Sequence, residues 1–245
     1  MTKVRTYPRR GLHGAVVHEI GVRIIRGDLS PGEPLPTEDE LGSQLGVSRT
    51  VLREAVKVLA AKRLVESRPK TGTRVLERAD WNLLDPDVLA WHLEAGLTER
   101  FLQNTLELRG LIEPGAARLA ALRATDGEIE LLAATYDELC RAEDIEAWIE
   151  PDLRFHTILF QATHNELLEH MTALVGSVLR MLFMFSSRPP ITFERALPLH
   201  GSILDAIRAR DPDAAEIAVL RLIDDTERNV ERALVELAGE PLPTG

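Results

Sequence analysis

Apolar residues recur at three- and four-residue steps through most of the chain, the period of a helix with one buried face. Val16, Val17, Ile20, Ile24 and Ile25 mark such a face over residues 12–26, and Gly27 ends it. A loop of turn formers, GDLSPGEPL, follows. Thr37, with Glu40 three residues on, then predicts a capped helix start. Leu41 and Leu45 face inward on that short helix, and Gly46 stops it. Ser48 caps a longer helix whose apolar positions are Val51, Leu52, Ala55, Val56, Leu59 and Ala60. The period changes next. Residues 64–68 and 73–77 read as short strands about Pro69-Lys70-Thr71-Gly72, a hairpin with a glycine in its turn.

Beyond residue 78 no alternating pattern returns. Residues 79–97 read as a linker in which Trp81 packs against a neighbouring domain. Asp85 and Pro86 open its helix through Ala95, a cap followed by a proline at the first helical position. Helices are predicted over 98–122, 126–142, 145–163, 166–186, 193–208 and 213–237, with a kink at Pro114. The fold class is mainly α: a three-helix module with a two-stranded wing over 1–78, then an all-α antiparallel bundle over 98–238.

Charge sharpens this division. The chain carries a net −10, yet residues 1–78 hold 15 Lys and Arg against 9 Asp and Glu. The first third is therefore basic by six charges and the remainder acidic by sixteen. That asymmetry suits one domain that meets phosphates and one that does not. Lys3, Arg5, Arg9 and Arg10 form a basic arm before the first helix. A single cysteine, Cys140, excludes an internal disulfide and suits the cytoplasm. No transmembrane run or signal peptide is read.

On the start of the second helix of the pair stand Arg49, Thr50 and Arg53. Arginine can fork onto guanine, and threonine can touch a phosphate or a thymine methyl, so this is the composition of a major-groove reader. The stretch LPTEDELGSQLGVSRTVLREAVKVL, with RLVES and GTRV behind it, resembles the winged helix-turn-helix of the GntR family of bacterial transcription regulators. The resemblance implies that Arg49, Thr50 and Arg53 contact DNA. It also implies that Gly72 of the wing enters the minor groove. Lys70 at the hairpin tip is a candidate phosphate contact or a solvated turn lysine, and Thr73 is a further DNA-binding candidate. Relatives often carry arginine where this chain has Asp39; an acid there removes that usual contact. WNLLDPDVLAWHLE is similar to the linker of the sugar-acid branch, which includes galactonate-responsive repressors.

Asp152 and His156 lie one helical turn apart in PDLRFHTILF and project from one face, where carboxylate and imidazole can share a metal. His200, in LPLHGSILDAI, can supply a third ligand from another helix. The domain resembles the all-helical FCD effector domain of the fatty-acid-regulator (FadR) branch. Many members of that branch hold a divalent metal with one Asp and three His. Asp152, His156 and His200 match three of those positions, and Leu222 occupies the fourth. Three readings stay open. A divalent metal, zinc first, binds through three protein ligands with water or effector oxygens completing its shell. Asp225 or Asn229 substitutes for the missing ligand. Or the same residues hydrogen-bond an organic acid with no metal.

An anionic effector also needs cations. Arg109 and Arg180 each interrupt an apolar helical stretch, where a bare charge is costly. Arg109 has the structural partners Glu107, Glu113 and Asp137 as alternatives to an effector carboxylate; the resemblance places the matching arginine in the pocket. Thr157 and Asn165 are weaker candidates. The expected protein is a homodimeric, ligand-responsive repressor of operator DNA. Its effector is a small carboxylate, a sugar acid first. The rivals are a metal hydrolase or lyase and an architectural DNA binder. No acid–base pair or glycine-rich phosphate loop supports the first, so no catalytic residue is expected.

Overall fold

A computed structural model describes residues 11–68, 72–96, 98–185 and 193–239, parts of the last three helices by backbone alone. The chain forms two compact units that divide between Leu97 and Thr98. The basic arm before residue 11 lies outside the described residues.

The first unit opens with α1 (Leu12–Arg26), closed by Gly27 in the left-handed conformation. Helix α2 (Glu38–Leu45) begins at a capping box: the Thr37 hydroxyl accepts from the Glu40 N–H while the Glu40 carboxylate accepts from the Thr37 N–H. Ser48 caps α3 (Arg49–Ala61) by accepting from the Val51 N–H. Val17, Ile20 and Ile24 of α1 pack with Leu52, Ala55 and Leu59 of α3 and Leu41 of α2 in one core. Strands β1 (Val65–Arg68) and β2 (Gly72–Val75) pair antiparallel, with Val65 opposite Val75 and Arg68 opposite Gly72. The wing strands are thus shorter than the pattern predicted. Gly72 is the first residue of β2 rather than a turn residue, with a φ of 83° that glycine adopts without strain.

The linker helix α4 (Pro86–Ala95) packs into this same unit. Trp91 and Val88 join the core, and the Trp91 ring lies directly over Gly21 of α1. Trp81 is buried there too, its indole N–H donating to the Leu76 carbonyl at 2.8 Å. Lys62, after α3, ties α4 down through Asp85 at 2.9 Å and Asp87 at 2.5 Å.

The second unit is helical throughout its described residues: α5 (Glu99–Arg123), α6 (Asp126–Cys140), α7 (Ile145–Gln161), α8 (Glu166–Phe185), α9 (Phe193–Arg208) and α10 (Pro212–Gly239). Its main core joins Ala117, Ala120 and Ala121 of α5 with Ala215 and Ala218 of α10, small residues that let two long helices approach. Leu132, Phe155, Leu159, Ile203 and Ile207 complete it. Pro114 sits inside α5, which continues through it as one element, and Pro151 and Pro198 sit likewise in α7 and α9. Each proline removes one backbone hydrogen bond, a loss offset by packing around the helix. None of the described helices is long and apolar enough to cross a membrane.

Candidate functional site

Two places gather the chemistry. The first is the exposed start of α3. Ser48 leaves the α3 N-terminus solvent-facing, and Arg49, Thr50 and Arg53 stand exposed on its first turns. Neither arginine is bare. Arg49 grips Asp39 side-on, Nε to Oδ1 at 2.6 Å and Nη2 to Oδ2 at 2.8 Å. Arg53 Nε lies between the two Glu38 oxygens at 2.9 and 3.0 Å. Asp39 therefore has a partner on the same face, which its ten-residue separation from Arg49 does not reveal. In the wing, the Thr73 hydroxyl lies 2.9 Å from that of Ser67, and Gly72 is exposed. Glu66 pairs with Arg74 and with Arg68. Lys70 lies outside the described residues.

The second place is buried. Helices α5, α7 and α9 bring Arg109, Glu113, Asp152, His156 and His200 together with at most 3% exposure each. Ligand atoms of Asp152, His156 and His200 all lie within 4.8 Å of one another. The His200 Nδ1 lies 2.9 Å from the Ala196 carbonyl oxygen, which can only accept, so Nδ1 carries a proton. Its Nε2 faces Asp152 Oδ1 at 3.0 Å, with no hydrogen bond formed. A proton on Nε2, or a cation shared with Asp152, would stabilise that contact. His156 Nε2 lies 4.0 Å from Asp152 Oδ2, and its Nδ1 lies 3.4 Å from Glu113 Oε2. Trp148 and Phe155 stand edge-on to the His200 ring and fix it.

Glu113 is the residue whose place in this cluster the sequence left open. Its carboxylate takes Arg109 Nε at 2.5 Å and Nη2 at 3.3 Å. Burial alone would raise the Glu113 acid, but Arg109 and His156 hold it at about 2. Burial likewise opposes ionisation of Asp152, and His200, His156 and Arg109 together outweigh it, lowering its pKa. Three buried atoms among these residues remain without a hydrogen bond besides His200 Nε2: Arg109 Nη1, Asp152 Oδ2 and His156 Nδ1. Buried polar atoms of this kind ordinarily find partners. One carboxylate and two imidazoles converging with unmet atoms are a donor set that fits a divalent cation.

The other candidates fall elsewhere. Leu222 is buried in the apolar core. Asp225, one turn on, is taken by Arg195 at 3.5 Å and Asn229 at 3.2 Å and does not join the three-residue cluster, so it does not stand in for the missing ligand. Thr157 donates to the Leu153 carbonyl. Asn165 caps α8, its side-chain oxygen accepting from the Leu167 N–H. The Arg180 side chain lies outside the described residues. His164 pairs with Glu128 at 3.1 Å at the end of α7, and His18 with Glu94 at 2.7 Å.

An exposed helix-turn-helix with a wing, joined to a helical unit holding a buried polar cluster, is the architecture of a DNA-binding regulator that responds to a ligand. Residues 12–75 match the family described as bacterial regulatory proteins, gntR family, and residues 104–225 match the FCD domain. The chain is 36% identical to the galactonate operon transcriptional repressor of Escherichia coli (strain K12) over 88% of its own length and 95% of that protein's. It is 31% identical to a regulatory protein named for the L-lactate dehydrogenase operon of the same organism, covering 92% and 88% of the two. A solved structure of Lar, which controls expression of the Listeria monocytogenes agr system, has the same fold, with a TM-score of 0.65 at 19% identity over 93% of this chain and 99% of that one. The chain belongs to the GntR family of transcription regulators, in the group with an FCD domain. It is a ligand-responsive DNA-binding transcription regulator and not an enzyme.

Proposed function

We propose that the chain is a cytoplasmic, homodimeric repressor. On this reading it binds a near-palindromic operator through Arg49, Thr50, Arg53 and the wing residues Lys70, Gly72 and Thr73. It loosens when a sugar acid enters the pocket among α5, α7 and α9. The unmet buried atoms of Arg109, Asp152 and His200, beside His156, carry the ligand part of this reading. Charge supports it. Arg109 offsets only one of the two buried carboxylates, Glu113 and Asp152, so one negative charge is left for a proton on a histidine or for a bound cation to balance. A divalent cation held with neutral imidazoles leaves one positive charge, and one ligand carboxylate then restores neutrality. Asp152, His156 and His200 would hold the cation, whose role is to present an electrophilic centre to ligand oxygens. Leu222 leaves its shell short of a fourth side chain, which favours a ligand offering two oxygens. Galactonate and L-lactate, the acids in the names of two relatives' operons, both carry a hydroxyl beside the carboxylate.

The test is elemental analysis of the purified chain followed by thermal shift and operator binding with galactonate, gluconate and L-lactate. About one divalent ion per chain is expected, lost in the double variant His156→Ala/His200→Ala. Galactonate should raise the melting temperature and weaken operator binding. An undiminished galactonate response after the metal is stripped would replace the metal by direct hydrogen bonding from the same residues. No response to any acid would favour an architectural DNA binder.

A further inference from the structure

We infer that Asp39 is a positioning residue for operator recognition: it orients Arg49 so that the free edge of the guanidinium reads one guanine. The inference rests on DNA binding by the first unit and goes beyond it in assigning a residue that the sequence pattern would count as a lost contact.

The geometry carries it. A guanidinium has two forked edges, one formed by Nε and Nη2 and the other by Nη1 and Nη2. Asp39 occupies the first, at 2.6 and 2.8 Å. The end-on edge, one N–H from each terminal nitrogen, is left open and matches O6 and N7 of guanine. Arg49 is otherwise a long exposed side chain, so holding one edge removes rotamer freedom that binding would have to remove. Glu38 holds Arg53 more loosely, through Nε alone, and both acids come from the first turn of α2, which the capping box fixes. A negative charge so placed also selects. It faces the acceptor edge of guanine only through the arginine, and it repels phosphate oxygens that a free Arg49 would otherwise pair with. The predicted result is less non-specific binding and sharper preference at one base pair.

Randomised duplexes enriched on the full-length protein would give the half-site. Affinities are then measured for the wild type, Asp39→Ala, Asp39→Asn, Arg49→Ala and the double variant Asp39→Ala/Arg49→Ala on that operator. They are repeated on copies with each guanine replaced in turn, and on a scrambled duplex. One guanine should cost the wild type about tenfold or more in affinity when replaced. Arg49→Ala should erase that discrimination. Asp39→Ala should reduce it several-fold while leaving other positions and the melting temperature unchanged, and should add nothing in the double variant. Asp39→Asn, which keeps one acceptor, should recover part of it. Full discrimination in Asp39→Ala would overturn the inference. So would equally tighter binding of that variant to operator and scrambled duplex, which would make Asp39 a simple repeller of phosphate. If the wild type enriched no sequence at all, the DNA reading itself would fall, and this one with it.

Discussion

Glu113 has two neighbours to satisfy: it neutralises Arg109 and faces His156 Nδ1 across 3.4 Å. If His156 holds a cation through Nε2, as proposed, Glu113 stands behind its far nitrogen and would help set the ring's orientation without touching a ligand. Its acid lies at about 2 when folded against 4.5 for an ordinary glutamate. A carboxylate with a depressed folded value adds stability above the unfolded value and loses it as pH falls toward the folded one. The second unit should therefore lose about 3 kcal/mol between pH 4.5 and 2 from this group. Glu113→Gln should flatten that acid limb, and at pH 7 it should cost roughly 3–5 kcal/mol by leaving Arg109 buried and unpaired. Denaturant unfolding of the two proteins across this range checks both. At this scale the sequence was partly legible. Asp152 and His156 announce themselves by their one-turn spacing, and Arg109 by interrupting an apolar face. Glu113 is only one of three acids within reach of Arg109 along the chain, and the helix crossing decides among them. The Asp39–Arg49 pair is less legible still, because it exists only once α2 and α3 have crossed.

Among the elements, α4 is the one the pattern reads as part of a linker, and its packing is what the structure adds. Its cap and proline mark the helix, and its partner is α1 of the first unit. Trp91 sets that packing, since it needs a smooth surface and Gly21 supplies one. A Cβ built on Gly21 would lie 2.6 Å from two ring atoms of Trp91, inside any real contact. Alanine improves helix propensity by about 1 kcal/mol over glycine, but overpacking of this kind costs roughly 1–3 kcal/mol. Gly21→Ala should thus lower the melting temperature of the first unit, while Gly115→Ala, on α5 with open space around its Cβ, should not destabilise the second. Lys62 makes the complementary test. Methionine there would leave Asp85 and Asp87 facing each other without their cation, and roughly 3 kcal/mol of first-unit stability should go. Among the described residues, the periodicity located the ten α-helices to within a few residues, because an amphipathic helix declares its buried face. It gave the wing strands too long, since so short a hairpin has almost no alternation to read.

For the whole molecule, charge and site chemistry divide the labour. The acidic remainder of the chain, sixteen charges negative, discourages DNA contact, so phosphate binding belongs to the basic first third. Arg53→Ala should then abolish operator binding and leave the ligand-induced melting shift intact. Loss of both would contradict separate sites. A stricter test uses linkage. If the acid that raises the melting temperature weakens operator affinity by some factor, the operator must weaken the acid's affinity by the same factor, because both are one coupling free energy. Calorimetric titration of the acid into free protein and into the protein–operator complex gives one factor, and operator titrations with and without saturating acid give the other. Agreement, expected at five- to a hundred-and-fifty-fold, places both ligands on one two-state equilibrium. In Arg53→Ala, added operator should leave the acid's affinity at its free-protein value, because a duplex that is not bound cannot bias that equilibrium. An acid that weakened operator binding while the operator left the acid's affinity unchanged would instead mean that it competes for the DNA face or acts on the duplex, and the buried pocket would lose its role as the sensor.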